Sequence, residues 1–391
     1  MRRRRLVGAG LAALAAALAA VLVIGCRAGE GSSPGAGEGA VLSGTGFSRA
    51  GWRTDFSRHS VPLSEFHSGG PPRDGIPPID EPRFVPQAEV DLPAREPVIA
   101  VAIGGQARAY PIRILIWHEI VNDTLAGVPI AVTFCPLCHT ALAFRRTVAG
   151  RELTFGTTGN LRFSDLVMWD RQTESWWQQF SGEAVVGELT GARLRPVPAQ
   201  LVSYAEFRDR HPRAPVLSED TGHRRPYGRN PYPGYDDADT PPFLLRDREP
   251  DGRLAPKARV VSVAAGGQLV AVPLEILAER PLLEVRVGDL PAVIWWRPGV
   301  ASALGPSEIA AGDDTGSVVV YDARVEGRAL SFALAGERLR DAQTGSEWDR
   351  GGRAVAGPLQ GRRLRPVPHD TPFWFAVAAF RPDARIVGER P

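Results

Sequence analysis

The sequence predicts a β-rich α+β fold made of two tandem homologous repeats of mostly antiparallel strands with short helices, the second repeat degenerate. Three observations lead there. Thirty-five prolines and 42 glycines punctuate short runs of Val, Ile, Phe and Trp, which is the texture of strands and turns rather than of a helical bundle. The segment from Val98 to Leu115 recurs as Val260 to Leu277, with Gly104-Gly105-Gln106 matching Gly266-Gly267-Gln268 and Tyr110-Pro111-Ile112 matching Val272-Pro273-Leu274. Farther along, Gly150-Arg151 with Phe155 matches Gly327-Arg328 with Phe332. Gln172-Thr173, Ser175 and Trp177 match Gln343-Thr344, Ser346 and Trp348, and Leu194-Arg195-Pro196-Val197-Pro198 returns as Leu364 to Pro368.

Each copy reads as a strand, a short helix after the proline, a strand, a hairpin, further short strands and a closing helix. In the first copy that helix starts at Ser203, with Glu206 completing a capping box, and stops before Pro212. In the second, Pro372 opens it at the first helical position. Residues 46–92 are rich in Pro, Gly and Ser without a sustained period and read as an extended arm over the domain, with His59 and His67 in solvent. The first repeat then spans 93–218, a Pro/Tyr/Asp-rich connection or lid 219–257, and the second repeat 258–391.

Bulk chemistry excludes some partners. A net charge of +2, 23% charged residues and 8% aromatics give no basic stripe interleaved with aromatic rings, so nucleic acid is not an expected partner. Lys257 is the only lysine, which points to composition bias rather than chemistry.

The N-terminus gives an address. Arg2 to Arg5 form a basic stretch, Leu6 to Ile24 an Ala-rich apolar run, and Val23-Ile24-Gly25-Cys26 a small-residue cleavage site. That order resembles a bacterial lipoprotein signal, residues 1–25, with Cys26 acylated and residues 26–45 a flexible Gly/Ser-rich tether. The expected location is the extracytoplasmic face of a membrane, held by lipid. The rival is a plain N-terminal anchor, which the abundance of weakly apolar Ala and Gly disfavours. Arg3-Arg4 followed by Leu6-Val7 also loosely fits a twin-arginine signal, although the general secretory route is favoured.

With Cys26 set aside, the three cysteines reduce to one pair, Cys135-Pro136-Leu137-Cys138, entered from the apolar run Ile130 to Phe134 and followed by a second strand-like run through Phe144. The setting is strand-turn-strand, unlike the helix start of a thioredoxin motif. Four chemistries are open to such a pair. A static disulfide suits an oxidising compartment, yet so short a loop stabilises by only about 2 kcal/mol in the chain-entropy picture. A thiol redox pair needs one activated thiolate beside a resolving thiol. Copper or zinc would take both sulfurs, with His118, His139 or Met168 completing the shell. The spelling Cys135-Pro-Leu-Cys138-His139 also matches c-type haem attachment, with His139 and Met168 as axial ligands, although the flanks are strand-like.

The internal comparison narrows where chemistry resides. Cys135 to His139 align with Arg297 to Ala301, and His118-Glu119 with Arg280-Pro281, so every candidate reactive side chain is missing from the second copy. Ser164, Asp165 and Met168 have no counterpart there, because the second copy runs from Phe332 to Asp341 by a shorter path. The glycines and hydroxyls from Gly156 to Asp165 suggest a pocket lining but lack the Gly-Lys-Ser/Thr ending of a phosphate loop. Asp170-Arg171 reads as a turn ion pair, and Trp176-Trp177 as core or groove. Neither Gly-x-Ser-x-Gly nor His-Glu-x-x-His occurs, so no hydrolase constellation is visible.

Ala109-Tyr110-Pro111, Trp117 to Asp123, the Cys135-Pro136-Leu137-Cys138 turn with Thr140, and Ser164 to Arg171 together resemble the domain-of-unknown-function 3179 family. Asn230-Pro231-Tyr232, Gly234-Tyr235-Asp236 and Pro256-Lys257 resemble its middle section. The resemblance covers roughly Pro82 to the C-terminus and implies no activity. The resulting expectation is a redox or metal-handling site at Cys135 and Cys138, flanked by His118, His139 and Asp165, with the second repeat as a buttress. The competing class is a non-enzymatic structural or binding module.

Overall fold

The computed structural model describes residues 47–245 and 248–388. The signal segment, Cys26, the whole tether and residue 46 at the start of the arm lie outside the described residues. The fold is β-rich, with several mostly antiparallel sheets and few short helices.

Local sequence explains how the first elements form. Strands Pro97–Ile103 and Gln106–Pro111 make a hairpin closed by Gly104-Gly105, with φ of 57° and 80°, the positive values that a two-residue type I′ turn requires. Pro111, at φ −63°, turns the chain into helix α1, Ile112–His118. Strands Ile120–Leu125 and Val128–Cys135 form the next hairpin, and Thr140–Arg145 pairs back onto Val128–Cys135. Arg195–Val197 completes this four-stranded sheet. A five-stranded sheet runs in the order Ala199–Ser203, Pro97–Ile103, Gln106–Pro111, Val216–Leu217, Phe84–Val85, and helix α2, Tyr204–Arg210, follows Ser203. A third sheet joins Phe66–Ser68, Phe155–Arg162, Asp165–Asp170, Trp176–Gln178 and Glu183–Val186.

From Val260 the order of pairings is laid down again. Val260–Ala265 and Gln268–Pro273 form a hairpin, helix α3, Leu274–Glu279, follows, and Leu282–Val287, Leu290–Arg297 and Ser317–Asp322 pair in turn. His369–Asp370 returns to Val260–Ala265, and helix α4, Trp374–Phe380, comes after it. The registers agree: Leu125 lies opposite Val128 as Val287 lies opposite Leu290.

Each half is closed by the end of the other. Ala199–Ser203 lies against Ser317–Asp322, and His369–Asp370 against Thr140–Arg145. The main apolar core crosses the division, holding Ile99, Val132 and Phe134 together with Phe373, Phe375 and Ala376. Trp176 and Trp177 are both core, Trp176 meeting Phe47, Phe56 and Phe66 of the arm edge-on.

Four local expectations need correction or refinement. His67 is buried, because Phe66–Ser68 joins the third sheet and sets it opposite Leu161; His59 is exposed. Ser203 does cap α2, accepting from the Glu206 N–H at 3.2 Å, but the Glu206 carboxylate turns to arginines instead of completing the box. Helix α4 is capped one residue beyond Pro372, by Phe373, and the Phe373 N–H donates to the Cys138 carbonyl. Asp170 accepts from Thr173 and the Trp177 indole, while Arg171 pairs with Asp80, so the turn ion pair does not form.

Glu206 is the main polar tie between the halves. Its carboxylate, 1% exposed, lies 3.1 Å from Arg350, 3.0 Å from Arg297 and 3.2 Å from Arg210, and accepts from the Ser317 hydroxyl. Burial alone would raise its pKa, but Arg350, Arg210 and Arg297 outweigh that and hold it at about 2. Removing one partner of a buried pair strands the other, so Glu206→Gln is expected to cost about 3 kcal/mol in guanidinium unfolding at pH 7. The group's stabilisation is complete above its ordinary value of 4.5 and fades as pH falls toward 2, so the deficit of the variant should shrink in that window. A deficit that is absent at pH 7, or constant down to pH 2, contradicts this account.

Candidate functional site

The candidate site forms where the second hairpin and the third sheet meet. Val128–Cys135 delivers Cys135 at its end, and Thr140, opposite it in register, restarts the chain after the turn carrying Cys138. Asp165 arrives on the long hairpin of the third sheet, whose turn residues Phe163 and Ser164 hold φ of 51° and 63°. Non-glycine residues enter that region at a cost, which a packed surround has to hold in place. The thiols of Cys135 and Cys138 and a carboxylate oxygen of Asp165 all lie within 4.8 Å of one another and are buried. The two cysteines are free and approach to 3.1 Å.

A polar frame fixes this cluster. Cys138 Sγ is 2.9 Å from Asp165 Oδ1 and 2.9 Å from the Thr140 hydroxyl. Asp165 Oδ2 accepts from the Phe180 N–H at 3.0 Å and from the Gln178 amide. Thr140 donates to Gln179 Oε1 at 2.6 Å, and Gln179 Nε2 donates to Thr133 at 2.8 Å. The second half supplies the roof: Phe373 N–H donates to the Cys138 carbonyl, and Asp370 Oδ1 accepts from Ala141 N–H at 3.0 Å. The connection crosses beside it, with the Tyr235 hydroxyl donating to the Leu137 carbonyl at 3.0 Å.

Electrostatics set the resting protonation. Burial pushes the Cys135 thiol up, and pushes Cys138 well up with help from Cys135 and Asp165. Burial raises Asp165 to about 6 against the hydrogen bonds it accepts and the pull of Arg162, which is itself paired with Glu65. Glu119 is pushed up to about 8 by burial and by Asp165. Burial, with Asp165, carries Asp370 to about 7 against the N–H groups of Ala141 and Thr371. Asp370 Oδ2 is buried with no hydrogen-bond partner among the described residues. This is a concentration of acidic groups with little positive charge near it, and thiols so placed stay protonated at neutral pH.

Of the residues singled out from sequence, Cys135, Cys138 and Asp165 come together; among the described residues His118, His139 and Met168 do not join them. His118 ends α1 with both nitrogens engaged, Nδ1 donating to the Pro77 carbonyl and Nε2 accepting from the Tyr227 hydroxyl, each at 2.7 Å. Burial, with His223 and Arg225, lowers it to about 4 despite the Pro77 bond, so it is neutral. His139 donates Nδ1 to the Thr371 carbonyl and lies between the rings of Phe134 and Phe373. Met168 packs in the core, opposite Thr157 and Trp177.

Sequence reasoning noted Glu119 without giving it a place in the site, and missed Asp370 and the pair Gln178-Gln179. The signals were partial. Glu119 corresponds to Pro281 in the sequence comparison, and Gln178-Gln179 follow Trp177 where Asp349-Arg350 follow Trp348. Asp370 sits in the half expected only to support. A cleft of about 300 Å³ between Ala264–Gly266 and Arg365–Pro368 lies apart from this chemistry, lined on its polar side by Asp289, Arg324 and Arg365.

A family model described as a protein of unknown function (DUF3179) matches residues 73–384. The chain belongs to the DUF3179 family. No curated protein matches it, and no solved structure does. The matched residues include every member of the cluster described above, from Glu119 to Asp370.

In reduced, metal-free protein, Cys135 and Cys138 are expected to resist iodoacetamide at pH 7.5 while folded and to react fully once unfolded, as peptide mapping would show. Native labelling at the rate of a free thiol would contradict the buried, protonated state.

Proposed function

We propose that this protein is a lipid-anchored extracytoplasmic metal-handling lipoprotein whose first half holds a thiophilic ion, copper or zinc, between Cys135, Cys138 and Asp165. The observation that carries the reading is the convergence of two thiols and one carboxylate within 4.8 Å in a buried place. Paired thiolates select soft or borderline ions such as Cu(I) and Zn(II), and binding would displace the thiol protons that burial otherwise retains. Three protein donors are one short of a closed structural zinc site, which suits an ion that exchanges or keeps an open position.

The 3.1 Å approach of the cysteines favours a second reading, a dithiol that closes to a disulfide. Burial and raised thiol pKa values weigh against it as a catalytic pair, because the attacking sulfur has to be an accessible thiolate. Haem attachment draws less support, since His139 is enclosed by two phenyl rings and a macrocycle would have to lie against it.

The anchor rests on Arg2 to Arg5, the apolar run to Ile24 and Cys26 after Gly25. We also read the chain as a tandem duplication with a degenerate second copy, supported by the recurring order and register of pairings. The membrane is then the one partner proposed, reached through lipid on Cys26.

Two experiments test these readings. Reduced apo-protein titrated with Zn(II) and with Cu(I) is expected to bind one equivalent. Cys135→Ser and Cys138→Ser should each weaken binding by more than about 100-fold, since even outer-sphere changes cost 10–100-fold. An intact disulfide that resists mild reductant, with no ion bound after reduction, would sink the metal reading. Cys26→Ser is expected to move the protein out of the membrane fraction; unchanged fractionation would remove the lipid anchor from the account.

A further inference from the structure

The two halves offer matching pockets filled in opposite ways. Cys135 pairs with Thr140 in the first half, as Arg297 pairs with Ser317 in the second. Thr133 lies opposite Ile120, as Trp295 lies opposite Leu282. The indoles of Trp177 and Trp348 donate to Asp170 and Asp341, and two residues beyond each stand Gln179 and Arg350. Gln179 bonds to the hydroxyls of Thr133 and Thr140. Arg350 donates to the Trp295 carbonyl at 2.7 Å and to the Ser317 carbonyl and hydroxyl at 2.8 and 2.9 Å. Residues 179 and 350 therefore occupy one structural position.

The second pocket is self-sufficient. Arg297 and Arg350 bring positive charge, and Glu206, from the third residue of α2, brings the carboxylate that both of them bind. In the first pocket Cys135 replaces Arg297, a neutral amide replaces Arg350, and the longer hairpin adds Asp165. The helix that closes it, α4, presents Ala376 at its third residue, buried in the same apolar cluster as Cys135 and Cys138. Its methyl group carries no charge into the site. The one guanidinium that pulls on Asp165, Arg162, is committed to Glu65 at 2.6 Å, so among the described residues no cation is paired directly with the carboxylate of the first pocket, a state that low-dielectric surroundings penalise.

We propose that residue 179 decides how this pocket is filled: a neutral Gln179 leaves the charge balance to a dissociable thiophilic cation, whereas a guanidinium at the matching position makes the second pocket closed to ligands. The inference rests on the metal reading and adds to it a specificity-determining position and a charge rule.

The test is a charge series at position 179, read by Zn(II) titration of reduced full-length protein. Gln179→Arg places a tethered cation beside Thr133 and Thr140 and is expected to weaken binding by about 100-fold or more, with a melting temperature no lower than that of the parent. Gln179→Glu keeps the acceptor for Thr140 and adds negative charge, so it should bind within about threefold of the parent or more tightly. Loss of binding in both variants alike would reduce Gln179 to a packing role and overturn the proposal, as would undiminished binding by Gln179→Arg. Should Gln179→Arg fail to melt cooperatively, Ala376→Lys supplies the cation from the other wall and is read in the same way. Failure of the parent protein itself to bind any ion defeats the metal reading, a distinct outcome.

Discussion

Bringing two thiols and a carboxylate into one dry place is the constraint on which the rest of this structure turns. A carboxylate taken from water without compensation costs several kcal/mol, comparable to a large share of a domain's net stability. The protein meets part of that cost with fixed donors on Asp165: the Phe180 N–H, the Gln178 amide and the Cys138 thiol. Protonation relieves its neighbours, Glu119 at about 8 and Asp370 at about 7, whereas Asp165 at about 6 is mostly ionised at neutral pH. A metal ion would meet it differently, by replacing protons with a charge shared among the donors.

The packing of each half's closing segment against the other half makes that arrangement possible. Each sheet is completed by strands of its own half, but His369–Asp370 and the start of α4 pack on the first half, while Ala199–Ser203 packs on the second and α2 sends Glu206 into it. Phe373 holds the Cys138 carbonyl, Asp370 holds the strand after the turn, and Thr371 fixes the His139 ring. The second half is consequently a wall of the site as well as its support. Its own pocket shows what the same frame does when charge is balanced from within, for Glu206 among three arginines keeps a carboxylate ionised at about 2 where Asp165 rises to about 6. Burial acts in the same sense on both, and the neighbouring guanidinium groups decide the difference.

Much of this was legible in sequence. Glycine pairs, prolines and the recurrence of Trp177 and Trp348 with their neighbours gave the β-rich class and the positions of the hairpins, because turn chemistry is local. Cys135 and Cys138 announced themselves by spacing, and Asp165 by its absence from the shorter second hairpin. The errors came from tertiary effects. His118 satisfies its ring through Pro77 and Tyr227, groups far away in the chain, so its ligand-like type carried no information about its partners. Met168 alternates into the core by strand periodicity, while Asp370 reaches the site by packing across the two halves, which no local pattern records. His67 looked solvated because an arm without a period gives no sign of the sheet edge it will join.

X-ray absorption at the zinc K-edge, on protein loaded with one equivalent, tests the central claim most directly. The account predicts a first shell with two sulfur scatterers at about 2.3 Å and oxygen at about 2.0–2.2 Å, with the sulfur contribution lost in the Cys135→Ser, Cys138→Ser double variant. A shell of oxygen and nitrogen alone, or a sulfur shell unchanged in that variant, would contradict it.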